Sequence, residues 1–404
     1  MTEPNEEEVR RLLAGMAAEA PGPDERAPQI ARKARRRMAF TGTATALGLV
    51  VALSAGAVAL PRFLDRNRVP VSAPTTPAPA PTATRTTVFG APPEGYLVLD
   101  GTVYWFDRGH LKALGSVPER QLHGAATTPH GVLLSAGPVA GGSLWLIRED
   151  TEPQRLADDV QLDIAVSGDG ELVAYGRIAD QSSSSSASMS IRILRIADGA
   201  VVADSPPIRI YAGPDAFVGG AVLASTGDGG EASHQLWDPA TGVIRDWGWY
   251  DEGVLDAYPR DRRLAVWLGC VNLVRVPEDG TPPELKGPCA ETSNGQTWAR
   301  FDGTGDRVAV MADPDGDGTA DELTVSRFQD GSTIRRFRID RGIQLVWESP
   351  SAVLVLGRGP GAGYTIWRCL LAGTGPGLAD RCQVAWYGGD GVSPEAIALL
   401  GPDA

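Results

Sequence analysis

The chain has 404 residues with 43% hydrophobic and 22% charged side chains, a balance that excludes both a wholly disordered protein and a multi-span membrane protein. Its 49 glycines and 31 prolines favour many turns over long helices. The formal charge is −13, and residues 89–404 carry 25 basic against 42 acidic side chains, so this body repels nucleic acid.

From the N-terminus, residues 1–37 read as a cytoplasmic tail. Glu6 to Ala20 places acids in a first turn and Val9, Leu12, Leu13 and Met16 at three- and four-residue steps, the pattern of one short amphipathic helix. That helix either docks on a cytoplasmic partner or stays solvated, because isolated helices of this length are marginal. The tail ends in Ala31 to Arg37, with five cationic side chains.

Residues 38–60, Met38 to Leu60, hold 23 residues without a charge, enough to cross a bilayer as one transmembrane helix. Five cations before it against Arg62, Arg66 and Arg68 after it predict a cytoplasmic N-terminus and an extracytoplasmic C-terminal domain at the cell membrane. A cleaved signal peptide is the competing reading, on the small residues from Ala55 to Ala59. Residues 61–88 form a Pro/Thr-rich linker without the means to build a core, reaching about 60 Å when fully extended.

Residues 89–404 are organised by a repeat. Apolar strands start at Tyr96, Gly131, Glu171, Gly220, Arg263, Arg307 and Ala352, spaced 35, 40, 49, 43, 44 and 45 residues apart. Each is followed by a second strand, starting at Val103, Leu144, Ile191, His234, Val271, Glu322 and Tyr364. Asp-Gly pairs at Asp100, Asp169, Asp198, Asp279, Asp302 and Asp330 suit tight hairpins, since glycine takes a positive φ without steric cost. The expected fold is all-β, a β-propeller of about seven four-stranded blades. The first unit lacks an innermost strand, and the spare strand Glu395 to Gly401 closes the ring if the two pair.

The segments Ser167 to Tyr175, Tyr258 to Trp267 and Phe301 to Val310 resemble the SPDG-x-x-(L/I)-A-(F/V) hairpin of TolB-like and WD-repeat-like propellers, and the resemblance runs loosely over residues 95–400. Trp237-Asp238 is the one Trp-Asp pair, and several repeats lack the Pro-Asp-Gly turn.

Four cysteines fall as two local pairs, Cys270 with Cys289 and Cys369 with Cys382, all in the domain assigned outside the cell. Disulfides in an oxidising compartment are expected, the local connectivity demanding least rearrangement. Zinc is the rival reading, and neither spacing supplies a C-x-x-C.

Asp313 to Asp321 (DPDGDGTAD) sets carboxylates at alternate positions of a tight loop, as a hard cation with six to eight oxygen ligands requires. It resembles the calcium loop of integrin-type (FG-GAP) propeller repeats. That resemblance implies Asp313, Asp315, Asp317 and Asp321 as side-chain ligands of a structural Ca²⁺, with the Thr319 carbonyl beside them. A solvated acidic hairpin is the alternative.

For catalysis the sequence offers no G-x-S-x-G, H-E-x-x-H, P-loop or G-x-G-x-x-G, and no enzyme is expected. His110, His123, His130 and His234 are scattered; His123 and His130 either face one channel mouth or lie on the surface. Trp247 and Trp249 sit in a connecting segment and suggest either packing or a carbohydrate-stacking platform. Ser182 to Ser188 reads as a polar loop. The functional reading is a single-pass membrane protein whose propeller binds a protein or small-molecule ligand as sensor or scaffold. The alternatives are an anti-sigma-like regulator acting through the tail, whose lack of His and Cys excludes a zinc motif, and a propeller hydrolase or lyase.

Overall fold

The computed structural model describes residues 93–107, 110–138, 141–178, 189–208, 213–227, 232–249, 253–268, 270–285, 289–290, 296–313, 319–358, 363–371, 382–388 and 397–402. The tail, span and linker expected over residues 1–88 lie outside the described residues, as does the serine run. Among the described residues no helix is long and apolar enough to cross a membrane.

In chain order, β1 (Tyr96–Leu99), β2 (Thr102–Asp107) and β3 (His110–Ser116) form one antiparallel sheet. Next come β4 (Leu122–Thr128), β5 (Gly131–Ala136), β6 (Gly142–Ile147), β7 (Gln154–Val166), β8 (Leu172–Ile178), β9 (Met189–Arg195) and β10 (Val201–Asp204), all in one seven-stranded sheet. Two four-stranded sheets follow. The first holds β11 (Pro214–Val218), β12 (Ala221–Gly227), β13 (Ala232–Trp237) and β14 (Ile244–Asp246); the second holds β15 (Gly253–Tyr258), β16 (Arg263–Trp267), β17 (Val271–Arg275) and β18 (Cys289–Ala290). A second seven-stranded sheet contains β19 (Gln296–Phe301), β20 (Arg307–Asp313), β21 (Ala320–Arg327), β22 (Thr333–Ser349), β23 (Ala352–Arg358), β24 (Tyr364–Leu370) and β25 (Gln383–Tyr387). The last strand, β26 (Ile397–Leu400), returns to pair antiparallel with β1, Tyr96 opposite Leu400.

Each seven-stranded sheet is two blades sharing one long strand. β7 pairs with β6 up to Val160 and with β8 from Gln161 onward. β22 pairs with β21 up to Gly342 and with β23 from Gly342 onward. At both crossings a residue other than glycine takes a left-handed conformation, Asp159 at φ 59° and Arg341 at φ 55°, which turns the strand from one blade into the next. The five sheets therefore resolve into seven four-stranded blades. Their first strands touch in cyclic order, β26, β4, β7, β11, β15, β19, β22 and back to β26. This closed ring is a β-propeller, completed by the C-terminal strand as expected.

Alternation along each second strand explains why these runs are apolar throughout. In β5, Val132 and Leu134 pack against Val98 and Val103 of the first blade, while Leu133 between them packs against Val173 and Tyr175 of the third. In β16, Leu264 and Val266 join Leu223 and Leu236 on one side, and Ala265 and Trp267 join Ala299 and Val308 on the other. Successive side chains of a strand point to opposite faces, and here both faces are seams between blades. The core is thus a series of seams, and a polar residue at either parity of these strands is buried.

The seven strands whose starts recur in the sequence are the second strands of the blades, and the following strands are the third. Of the six Asp-Gly turns, Gly101, Gly170, Gly199, Gly280 and Gly331 take positive φ. At Asp302 the expectation is corrected. The left-handed residue is Gly305, and Asp302 is buried, its carboxylate accepting from the Thr304 hydroxyl at 3.0 Å and from Arg307 Nε at 2.8 Å. The tight turn needs its glycine three residues after the aspartate because the carboxylate itself closes the loop.

Candidate functional site

The ring has two unlike faces. Turns between first and second strands, and between third and fourth, lie on one face, together with Glu94, whose amide donates to Glu348 Oε1 at 2.8 Å, and the end of β26. The chain therefore joins its ring and leaves it on this face, termed proximal. The distal face carries the turns between second and third strands and the passages between blades.

The proximal face is locked by the turn after β15. Arg260 Nε donates to the Gly168 carbonyl at 2.9 Å, reaching the third blade across the fourth. The Gly219 amide of the fourth blade donates to the Pro259 carbonyl at 3.0 Å. Arg263 donates to the Gly305 carbonyl at 2.5 Å and to Asp306 at 2.9 Å in the sixth blade, and the Tyr258 hydroxyl donates to the Gly303 carbonyl at 3.1 Å. Glycine is required at Gly305, where φ is +71° and a Cβ would collide with the Tyr258 ring. Nearby, the Ser167 hydroxyl and then the Glu171 amide hold the Asp169 carboxyl below the ordinary carboxylate range.

Between the fifth and sixth blades, Asp256 on β15 accepts from the Phe301 amide at 2.7 Å and from Arg300 at 3.3 Å. Burial pushes its carboxyl above the ordinary range, against the lowering pull of Arg300 and the Phe301 amide. Between the seventh blade and the closing strand, the Gln344 amide donates to the Leu399 carbonyl at 2.9 Å and accepts from the Leu399 amide at 2.8 Å.

The expected metal loop lies on the distal face, joining β20 to β21. Asp313 ends β20 and is fully buried, Thr319 is buried, and Asp321 is exposed on β21, one step beyond the paired residues Ala312 and Glu322. Asp315 and Asp317 lie outside the described residues. Among the described residues no three His, Cys, Asp or Glu side chains are placed to hold a metal.

Cys369 and Cys382 form a disulfide across the connection between β24 and β25. Cys270 is also disulfide-bonded, and no cysteine is free among the described residues. The backbone of Cys289 pairs opposite Asn272, two residues from Cys270; its side chain lies outside the described residues.

The histidines separate. His110 is exposed, His123 is buried with Nε2 2.6 Å from the Gly137 carbonyl, and His130 Nε2 lies 2.9 Å from Glu171 on the proximal face. His123 and His130 do not share a channel mouth. Of the two readings of Trp247 and Trp249, packing is the one seen: both are buried with ring centroids 4.7 Å apart, and Trp247 Nε1 donates to the Gly280 carbonyl at 3.1 Å. They fill the seam between the fourth and fifth blades.

One constellation was not anticipated. At the distal end of the fourth blade, Ser225 Oγ donates to both Asp215 carboxylate oxygens, at 2.8 and 2.6 Å, and lies 3.3 Å from His234 Nε2. These residues sit on β11, β12 and β13, with Ser225 opposite His234 in register. Nothing in linear spacing announces them, because pairing register alone brings the three together. They do not form a nucleophile relay, which needs the carboxylate on the imidazole nitrogen remote from the serine; here Asp215 Oδ2 is 3.7 Å from the same Nε2 that faces the hydroxyl.

No protein-family model matches the chain, and no curated protein sequence matches it significantly. Among solved structures it is similar to TolB from Acinetobacter baumannii, with a TM-score of 0.42 at 10% identity over 76% of this chain and 66% of that one, just under two thirds of its length. Hsv2 from Kluyveromyces lactis gives a TM-score of 0.43 at 12% identity, over 63% of this chain and 75% of that one. A chain of the mitotic checkpoint complex gives 0.46 at 11% identity, over 83% of this chain and 93% of that one. The assignment as a β-propeller rests on the strand pairing and cyclic closure described above.

Proposed function

We propose that this chain is a membrane-tethered scaffold whose extracytoplasmic propeller binds a protein partner on its distal face. The observation that carries this reading is that the ring is joined and left on the same face, β1 beginning where β26 ends. A tether running from residues 38–60 through the linker meets the proximal face, so the distal connections point away from the anchor. The locked proximal turns hold that distal surface on a fixed frame, which lowers the ordering cost of binding. The disulfides fit an oxidising compartment. The Asp313 to Asp321 loop belongs to the distal face, and in this reading it holds a structural Ca²⁺.

The experiment uses the full chain in its own membranes, with a photo-crosslinking side chain placed at Asp158 or Arg358 on the distal face, or at Asp279 or Asp330 on the proximal face. Covalent adducts from the distal pair alone support the reading. Adducts from the proximal pair alone, or a C-terminal domain protected from external protease, overturn it.

A further inference from the structure

We propose that the axial channel of the ring binds a small organic monocarboxylate through the open edge of the Arg300 guanidinium. Counting β7 from Gln161 and β22 from Gly342, the seven first strands that enclose the channel carry one lysine or arginine, Arg300 on β19. The path of its side chain places it in the channel. Ala299 and Phe301 pack with Leu255 and Ala265 of the fifth blade, so by alternation Arg300 leaves β19 on the side of the seventh. Yet its Nη1 reaches back to the fifth blade, donating to the Leu255 carbonyl at 3.4 Å and to Asp256 Oδ1 at 3.3 Å, and to the Ala299 carbonyl of its own strand at 3.2 Å. That route crosses the inner edge of β19, and the solvent that leaves the side chain 38% exposed is channel solvent.

The second observation is what the guanidinium leaves unused. Its Nε and Nη2 make no hydrogen bond among the described residues, and neither is buried. Other partly buried arginines close this same fork on a carboxylate. Arg192 holds Asp204 with Nε and Nη2, both at 2.7 Å, and Arg368 holds Glu348 with the same two nitrogens at 2.6 and 2.5 Å. Asp256 does not do this for Arg300, because its Oδ2 accepts from the Phe301 amide at 2.7 Å and its Oδ1 meets only Nη1. The planar Nε and Nη2 pair matches the two oxygens of a carboxylate.

Neighbouring groups select the ligand. With Asp256 3.3 Å from Nη1, a dianion such as phosphate meets more repulsion than a monoanion does. Glu348 is engaged at both oxygens by Arg368, and Asp163 and Asp215 lie toward the distal ends of β7 and β11. The partly exposed Trp347 ring, whose Nε1 donates to the Arg300 carbonyl at 2.9 Å, offers an apolar flank for the body of the acid.

The test is titration of the full-length purified chain with sodium benzoate, read by broadening of the benzoate signals in proton NMR. Saturable binding is expected, displaced by excess acetate but not by benzyl alcohol or by phosphate at the concentration of the benzoate. Arg300→Lys keeps the charge and loses the fork, so it should weaken binding about tenfold, the equivalent of one charge-assisted hydrogen bond. Arg300→Gln should abolish binding; should it fail to fold, Arg300→Lys decides alone. Asp256→Asn, which removes the competing charge, should bind at least as tightly as the unaltered chain, and Arg327→Gln on the outer surface should match it. No saturable binding, displacement by benzyl alcohol, a preference for phosphate, or unchanged affinity in Arg300→Lys overturns the proposal.

Discussion

The ring is closed by two devices, the pairing of β26 with β1 and the Gln344 amide that grips both main-chain polar groups of Leu399. β26 is the edge strand of its sheet, and these are groups it does not give to β1. Replacing Gln344 with alanine removes two hydrogen bonds, each contributing about 1 kcal/mol net, and leaves a partly buried N–H and C=O with restricted access to water. The expected destabilisation is about 2 to 3 kcal/mol, read by urea unfolding followed through tryptophan fluorescence. Gln344→Glu sharpens the test because it keeps the shape. Its carboxylate still accepts from the Leu399 amide but repels the Leu399 carbonyl at neutral pH, and this loss should shrink as the pH is lowered and the carboxyl regains a proton. If Gln344→Ala unfolds within about 0.5 kcal/mol of the unaltered chain, closure rests on β26 pairing alone and the reasoning fails.

Four further outcomes follow from the same geometry. Gly305→Ala should cost more than about 2 kcal/mol, from left-handed strain and the Tyr258 ring, whereas Gly303→Ala, with nothing within 4 Å of its new Cβ, should stay within about 0.5 kcal/mol in thermal melts. Because burial raises the Asp256 carboxyl in the folded state, the native form binds its proton more tightly than the unfolded one, so this group costs stability as pH rises from about 4 through its folded value. Asp256→Asn should therefore gain relative to the unaltered chain across that window, and a pH-independent difference would refute the assignment. Joint replacement of Cys369 and Cys382 by serine should cost about 2 to 3 kcal/mol, since the bridge closes a separation of 13 residues, and reductant should cost the unaltered chain at least as much, because Cys270 is disulfide-bonded too. Ca²⁺ should raise the melting temperature of the chain but not of Asp315→Ala or Asp317→Ala; no shift in the unaltered chain would reduce the motif to an acidic turn.

The second and third strands of every blade were legible because both their faces are seams, so their apolar runs stand out even where alternation is lost. Apart from β26, the first and fourth strands were not, and β10 shows why. Its four residues, VVAD, lie at an outer edge where Val201 and Val202 are half exposed, so burial leaves no pattern in the sequence. The shared strands β7 and β22 were hidden for another reason. Their crossings turn on Asp159 and Arg341, residues that carry no turn signature of the glycine kind. The Asp-Gly reading worked where the glycine directly after the aspartate takes the left-handed conformation and failed at Asp302, where Gly305 does so and the carboxylate is buried. Site geometry was the least legible, because Asp215, Ser225 and His234 are joined by register across three strands, and register is a property of the sheet rather than of spacing.

The two faces of the ring answer to different constraints. On the proximal face, Gly168 meets the Arg260 side chain at 3.0 Å and Gly219 meets Arg262 at 2.7 Å once a Cβ is added, so these two positions have no room for a side chain. The arginines of that face are spent on main-chain carbonyls and on neighbouring aspartates, which fixes the blades relative to one another but leaves little charge for a partner. On the distal face Asp159, Asp321 and Asp158, the last ion-paired with Arg155, are exposed. A fixed frame on one side and exposed acidic side chains on the other lets binding lose little to ordering, which supports the proposal that recognition belongs to the distal face.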